Sequence, residues 1–230
     1  MNISILHWLG FEFLEIKCEA DPDSTTVAQA EDVFAQCRSG LERFGLSLED
    51  TVRSRIWAVD RASWDVASKA RFATLSGTAR GASSSYITPG HFLTGASIGL
   101  DLMAVRPRPG IEKVIKDFEP KRSAPPICYV TLGSLMVVSG MTVVLPTLEE
   151  QVTTDILPRI TGYLAEAGSG WSQVAKVSCY LHRSMSPEEM CALFRRTVPA
   201  WPPLFEIVFV DGYSAEGKLV EIEVTAERKT

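Results

Sequence analysis

Shifting the sequence 123 positions along itself lays residues 33 to 58 over residues 156 to 181, and the match lies in physical pattern more than in identity. Val33, Cys37 and Leu41 fall on Ile156, Ile160 and Leu164, the i, i+4, i+8 stripe of an amphipathic helix in both copies. Gly45 falls on Gly168, where a helix end calls for a residue tolerant of positive φ. Val52, Ser54, Ile56 and Ala58 then fall on Ala175, Val177, Cys179 and Leu181, an alternation that suits a strand with one buried face. Whatever unit one copy forms, the chain is therefore expected to form twice.

Each copy passes from that strand into a second helix. "SMSPEEMCALFRR" opens with Ser186 as N-cap, Pro187 at the first helical position and two glutamates in the first turn. In the first copy, "RASWDVASKARFATL" offers Ser63 as the cap. Two strands close each copy, at 82 to 88 and 96 to 105, and at 204 to 210 and 218 to 227. In "KLVEIEVTAE" the alternation puts Val220, Ile222 and Val224 on one face and Glu221 and Glu223 on the other. The proline- and charge-rich stretch between the copies reads as a linker, placed at 109–122, with domains at 1–108 and 123–230. Pro158 is expected to kink the second copy's long helix or to mark a late start.

With 46% hydrophobic residues among 230, the chain has enough apolar side chains for a packed core. The net charge of -5 and the lack of a long basic run argue against a nucleic-acid partner. The apolar opening "MNISILHWLGFEFLEIKCEA" carries Glu12 and Glu15 and reads as a strand, not a signal, and no membrane span is predicted. Five scattered cysteines without a CxxC pair read as reduced thiols, so a cytoplasmic location is expected.

The order of elements resembles the Rid family, also called YjgF or UK114. "VVSGM", "LAEAGSGWSQVAKVSCYL", "VPAW" and "LVEIEVTA" of the second copy carry the resemblance. It implies an α+β fold: two tandem chorismate-mutase-like domains, each a mostly antiparallel sheet with two helices on one face. Single-copy relatives form trimers, so a homo-oligomer, trimer or dimer, is expected. In the family an arginine of a Pro-Ala-Arg-type motif grips a substrate carboxylate, and the first glutamate of a Glu-Ile-Glu strand helps position water. The best-known reaction is hydrolysis of enamines and imines, a deaminase-like activity that uses no metal and no cofactor.

Carried over residue by residue, the match is incomplete. Trp201 takes the arginine position of the second copy, whereas "TAR" puts Arg80 there in the first. The reading is a hybrid site in which Arg80 meets Glu221 across a cleft, with Glu223 as second acid. Ser84, Tyr86, Ser139 and Gly140 line it, and Trp201 forms either an aromatic wall or a plug. An ion pair within the chain is the alternative for Arg80, and an exposed strand position the alternative for Glu221. His91 and His182 read as structural or exposed, and Cys179 as a helix-facing core thiol.

The expected activity is acid-base hydrolysis of a small carboxylate-bearing enamine or imine. Two alternatives remain: a chorismatase-like enzyme, since chorismatases also combine two Rid-like domains, and a non-catalytic ligand-binding or assembly protein.

Overall fold

The computed structural model describes residues 1–120 and 123–229. The last two residues of the 109–122 segment and the final residue of the chain lie outside it. The first repeat opens with a hairpin, β1 (Asn2–Trp8) and β2 (Phe11–Glu19). Both residues of its two-residue turn take positive φ, Leu9 at 48° and Gly10 at 74°, as such a turn requires to match the twist of the strands. Then come α1 (Thr26–Glu42), β3 (Thr51–Ala58), α2 (Arg61–Thr74), β4 (Ala82–Ile87) and β5 (Ile98–Val105), in a sheet of order β1-β2-β5-β3-β4.

The second repeat follows the same plan. It comprises β6 (Lys113–Lys116), β7 (Tyr129–Leu132), β8 (Leu135–Met141), α3 (Leu148–Glu150), α4 (Leu157–Glu166), β9 (Val174–His182), α5 (Pro187–Thr197), β10 (Leu204–Val210) and β11 (Val220–Glu227). Its sheet has the order β10-β9-β11-β8-β7-β6. Each sheet is antiparallel except for the one pair joined by a helical crossover, β3 with β4 and β9 with β10.

Two local expectations are revised, and a third, the late helix start at Pro158, is met. Asp60, not Ser63, caps α2: its carboxylate accepts the Ser63 backbone N–H at 2.8 Å, so Ser63 sits inside the first turn. The segment read as a linker contributes β6, which pairs with β7 at the edge of the second sheet. Pro158 stands at the first positions of α4, directly after a π-helical stretch, Gln151–Ile156. That wider register sits where the proline lacks an N–H for the preceding turn.

The molecule has four layers: helices, sheet, sheet, helices. Val33, Cys37 and Leu41 of α1 pack on Ile56, Leu100 and Leu102 of the first sheet. Ile156, Ile160 and Leu164 pack in the same way on Val177, Cys179 and Val224 of the second. The inner faces of the two sheets meet each other. Phe13 and Val105 join Val130, Leu135 and Val137 at one corner, and Trp57 and Tyr86 join Tyr180 and Tyr213 at the other. All five cysteines are free. Among the described residues no helix is long and apolar enough to cross a membrane.

Candidate active site between the two sheets

The alternation of β11 turns Val220, Ile222 and Val224 into the helix-side core and aims Glu221 and Glu223 at the first repeat. Both carboxyls end up buried, with 4% of Glu221 and 1% of Glu223 exposed. Burial of this kind is costly for an anion unless cations or donors surround it. The two side chains meet that cost in opposite ways.

Glu223 is held by donors that come from the first repeat. Arg55 of β3 donates from Nε at 2.9 and 3.0 Å and from a terminal nitrogen at 2.6 Å. Arg53, two residues earlier on the same face, places its Nε 3.3 Å away and also donates to the Val224 carbonyl and the Thr225 hydroxyl. The Ser84 hydroxyl at 2.5 Å and the Tyr86 hydroxyl at 3.2 Å complete the shell. Burial alone raises this carboxyl's pKa, but Arg55, Arg53 and the hydrogen bonds outweigh it and bring it down to about 2.

Glu221 lies against Gly140 of β8, so closely that a Cβ built on Gly140 falls 1.9 Å from its Oε1. The pairing of β11 with β8 shifts register between Ile222 and Val224, beside this contact. Burial is the main influence on Glu221. It outweighs the attraction of Lys218 and Arg71, Glu223 adds repulsion, and the pKa rises to about 8. Arg71 reaches in from α2 and donates to the Ser84 carbonyl at 2.6 Å. Ser139, next to Gly140, accepts the Ser83 backbone N–H at 3.1 Å and ties β8 to β4.

Aromatic rings wall this cluster. Tyr86 stacks on Tyr180 at 3.9 Å, Trp57 stacks on His91 at 4.0 Å, and Tyr213 donates to the Tyr180 carbonyl. Two cavities flank it. One of about 760 Å³ is lined by Arg55, Trp57, Asp101 and Tyr180 among others. The other, about 690 Å³, is lined by Ile87, Tyr213 and Lys218 and by Arg61 at the start of α2.

The structure thus brings together Glu221, Glu223, Ser84, Tyr86, Ser139 and Gly140. It places Arg80 elsewhere, just before β4, where Arg80 ion-pairs with Asp117 and donates to the Gly77 carbonyl. Trp201 is 43% exposed beyond the end of α5, 4.4 Å from the Phe205 ring and beneath the Arg195 guanidinium. Sequence reasoning missed Arg53, Arg55, Arg71 and Tyr180. A signal existed for the first two, because "TVRSRIWA" carries arginines at alternate strand positions opposite an apolar face.

No family sequence model matches the chain, and no curated protein matches it by sequence. Solved structures do. A YjgF/YER057c/UK114 family protein from Mycobacterium tuberculosis is 25% identical, covering 50% of this chain and 99% of its own, with a TM-score of 0.45. A YjgF-family protein from Neisseria meningitidis is also 25% identical, over 52% of this chain and 97% of its own, with a TM-score of 0.45. A chorismatase is 14% identical and covers 94% of this chain and 74% of its own, with a TM-score of 0.59. By fold, the chain is a tandem α+β protein that shares the chorismatase architecture over nearly its whole length and resembles single Rid proteins over half of it.

Proposed function

We propose that this chain is a small-molecule enzyme that hydrolyses an electron-rich double bond next to a carboxylate, with Glu221 as proton donor. One observation carries the reading. Two carboxyls two residues apart on one strand are buried together, yet one is driven up to about 8 and the other down to about 2. At neutral pH Glu221 holds a proton and Glu223 does not. Such a pair divides its roles into an acid that reacts and an anion that holds the surrounding arginines in place.

An enamine and an enol ether both accept a proton on carbon. Glu221 gives its proton to that carbon, and the double-bond electrons form the new C–H bond, leaving an iminium or an oxocarbenium ion. Water adds to the cation and returns a proton to the Glu221 carboxylate. The adduct then breaks its C–N or C–O bond, releasing an oxoacid with ammonia or an alcohol. The two expected reactions, Rid-like and chorismatase-like, share this first step. The fold shared with a chorismatase supports the enol-ether form, and the likeness to Rid proteins is the reason to test the enamine form.

The test supplies purified protein with a freshly generated dehydroalanine-type enamine and, separately, with chorismate, and follows oxoacid and pyruvate. Turnover of either substrate that Glu221→Gln abolishes supports the proposal. Turnover of neither overturns it.

A further inference from the structure

We infer that Lys218, assisted by Arg61 at the rim, is the subsite that receives the substrate's carboxylate in the 690 Å³ cavity. The inference rests on the reading of Glu221 as the acid and adds where the substrate's charge is held.

Lys218 lies three residues before Glu221, at the end of the loop between β10 and β11. Its ammonium donates to the Ser214 hydroxyl, and among the described residues it makes no ion pair. Burial lowers its pKa, and Glu221 is the main charge that supports it. Yet Glu221 is itself protonated near neutral pH, so it supplies little negative charge there. A half-buried ammonium beside a neutral acid and a hydroxyl is a cation short of an anion. The cavity it lines is of the size that small-molecule sites commonly have.

The loop carrying Lys218 is fixed at several points. Gly212 forms a bridge with Ile87 at the end of β4. Arg183 pairs with Asp211 at 2.8 Å, which leaves that carboxylate already engaged. The buried Gln151 donates to the Gly217 carbonyl at 2.7 Å and accepts the Leu219 N–H at 2.9 Å. Arg61 donates to the Ser214 carbonyl at 2.5 Å and pairs at the surface with Asp65. A cation held this way needs little reordering when an anion arrives. Lys218 interacts electrostatically with Glu221, three residues further along the chain, so binding and protonation are here assigned to neighbouring residues of one strand entry.

The probe is pyruvate, titrated calorimetrically into full-length wild type, Lys218→Met, Lys218→Arg, Arg61→Met and Glu221→Gln. Expected are binding to wild type and to Glu221→Gln, a loss of about tenfold or more in Lys218→Met, recovery in Lys218→Arg, and a smaller loss in Arg61→Met. In turnover, Lys218→Arg should keep kcat while Lys218→Met raises KM. Pyruvate binding unchanged in Lys218→Met, or absent from wild type at millimolar concentration, overturns the inference. Intact, Lys218-dependent binding without turnover overturns only the reaction proposed above.

Discussion

Arg55 of the first repeat grips Glu223 of the second, 168 positions further along the chain, through three hydrogen bonds. The contact joins the two sheets, with 1% of the Glu223 side chain exposed, and also sets the charge of the site.

Removing one partner should therefore damage the whole molecule. Arg55→Met leaves Glu223 a buried anion with fewer donors, and a loss of about 3 to 5 kcal/mol is expected. Urea unfolding monitored by tryptophan fluorescence measures it. A loss below about 1 kcal/mol would assign the pair the small worth of a surface ion pair.

The pH dependence of stability should have two limbs of opposite origin. Glu223 has a folded pKa of about 2, below its ordinary 4.5, so its contribution is complete above 4.5 and disappears as pH falls toward 2. Glu221 has a folded pKa of about 8, above 4.5, so its contribution is complete below 4.5 and disappears as pH rises toward 8. Across that upper window each pH unit should cost up to about 1.4 kcal/mol. Glu221→Gln should flatten the upper limb and leave the acid limb in place, as read by denaturant midpoints from pH 3 to 9.

Gly140→Ala should displace the Glu221 carboxyl, since the added Cβ falls 1.9 Å from Oε1 and 2.6 Å from Cδ. The expected result is a folded protein whose Glu221 titrates closer to the ordinary carboxylate range. A pH titration of the Glu221 side-chain carboxyl by carbon-13 NMR tests this. An unchanged titration would mean that the carboxyl relaxes without leaving its buried position.

Trp201→Ala and Arg80→Met should behave as stability variants. Trp201 packs on Phe194 and Phe205, and Arg80 pairs with Asp117. Loss of about 1 to 3 kcal/mol is expected for each, with kcat within about twofold of wild type. A selective fall in kcat for Arg80→Met would return that residue to the chemistry.

Much of this was readable from alternation alone. The spacing of Glu221 and Glu223 against Val220, Ile222 and Val224 gave the orientation of β11 without any fold knowledge. Arg53 and Arg55 obey the same rule, but arginines on a strand face look solvated until a second sheet covers them, and no local pattern announces that cover. Asp117 was hidden differently: it lies in a stretch whose prolines and charges have the composition of a connector, so its pairing with Arg80 had no sequence signature. Asp60 and Ser63 are both good capping residues, and only the chain's path into α2 decides between them.

The candidate site draws both its carboxyls from one repeat and its cations and hydroxyls largely from the other. Two halves that share one plan are complementary at this site, so neither holds the complete set of chemical groups when severed. Cut within the connecting segment and expressed separately, each half would be inert, and any activity would return only on reassembly of the pair. The two repeats thus supply one candidate site between them in place of one each.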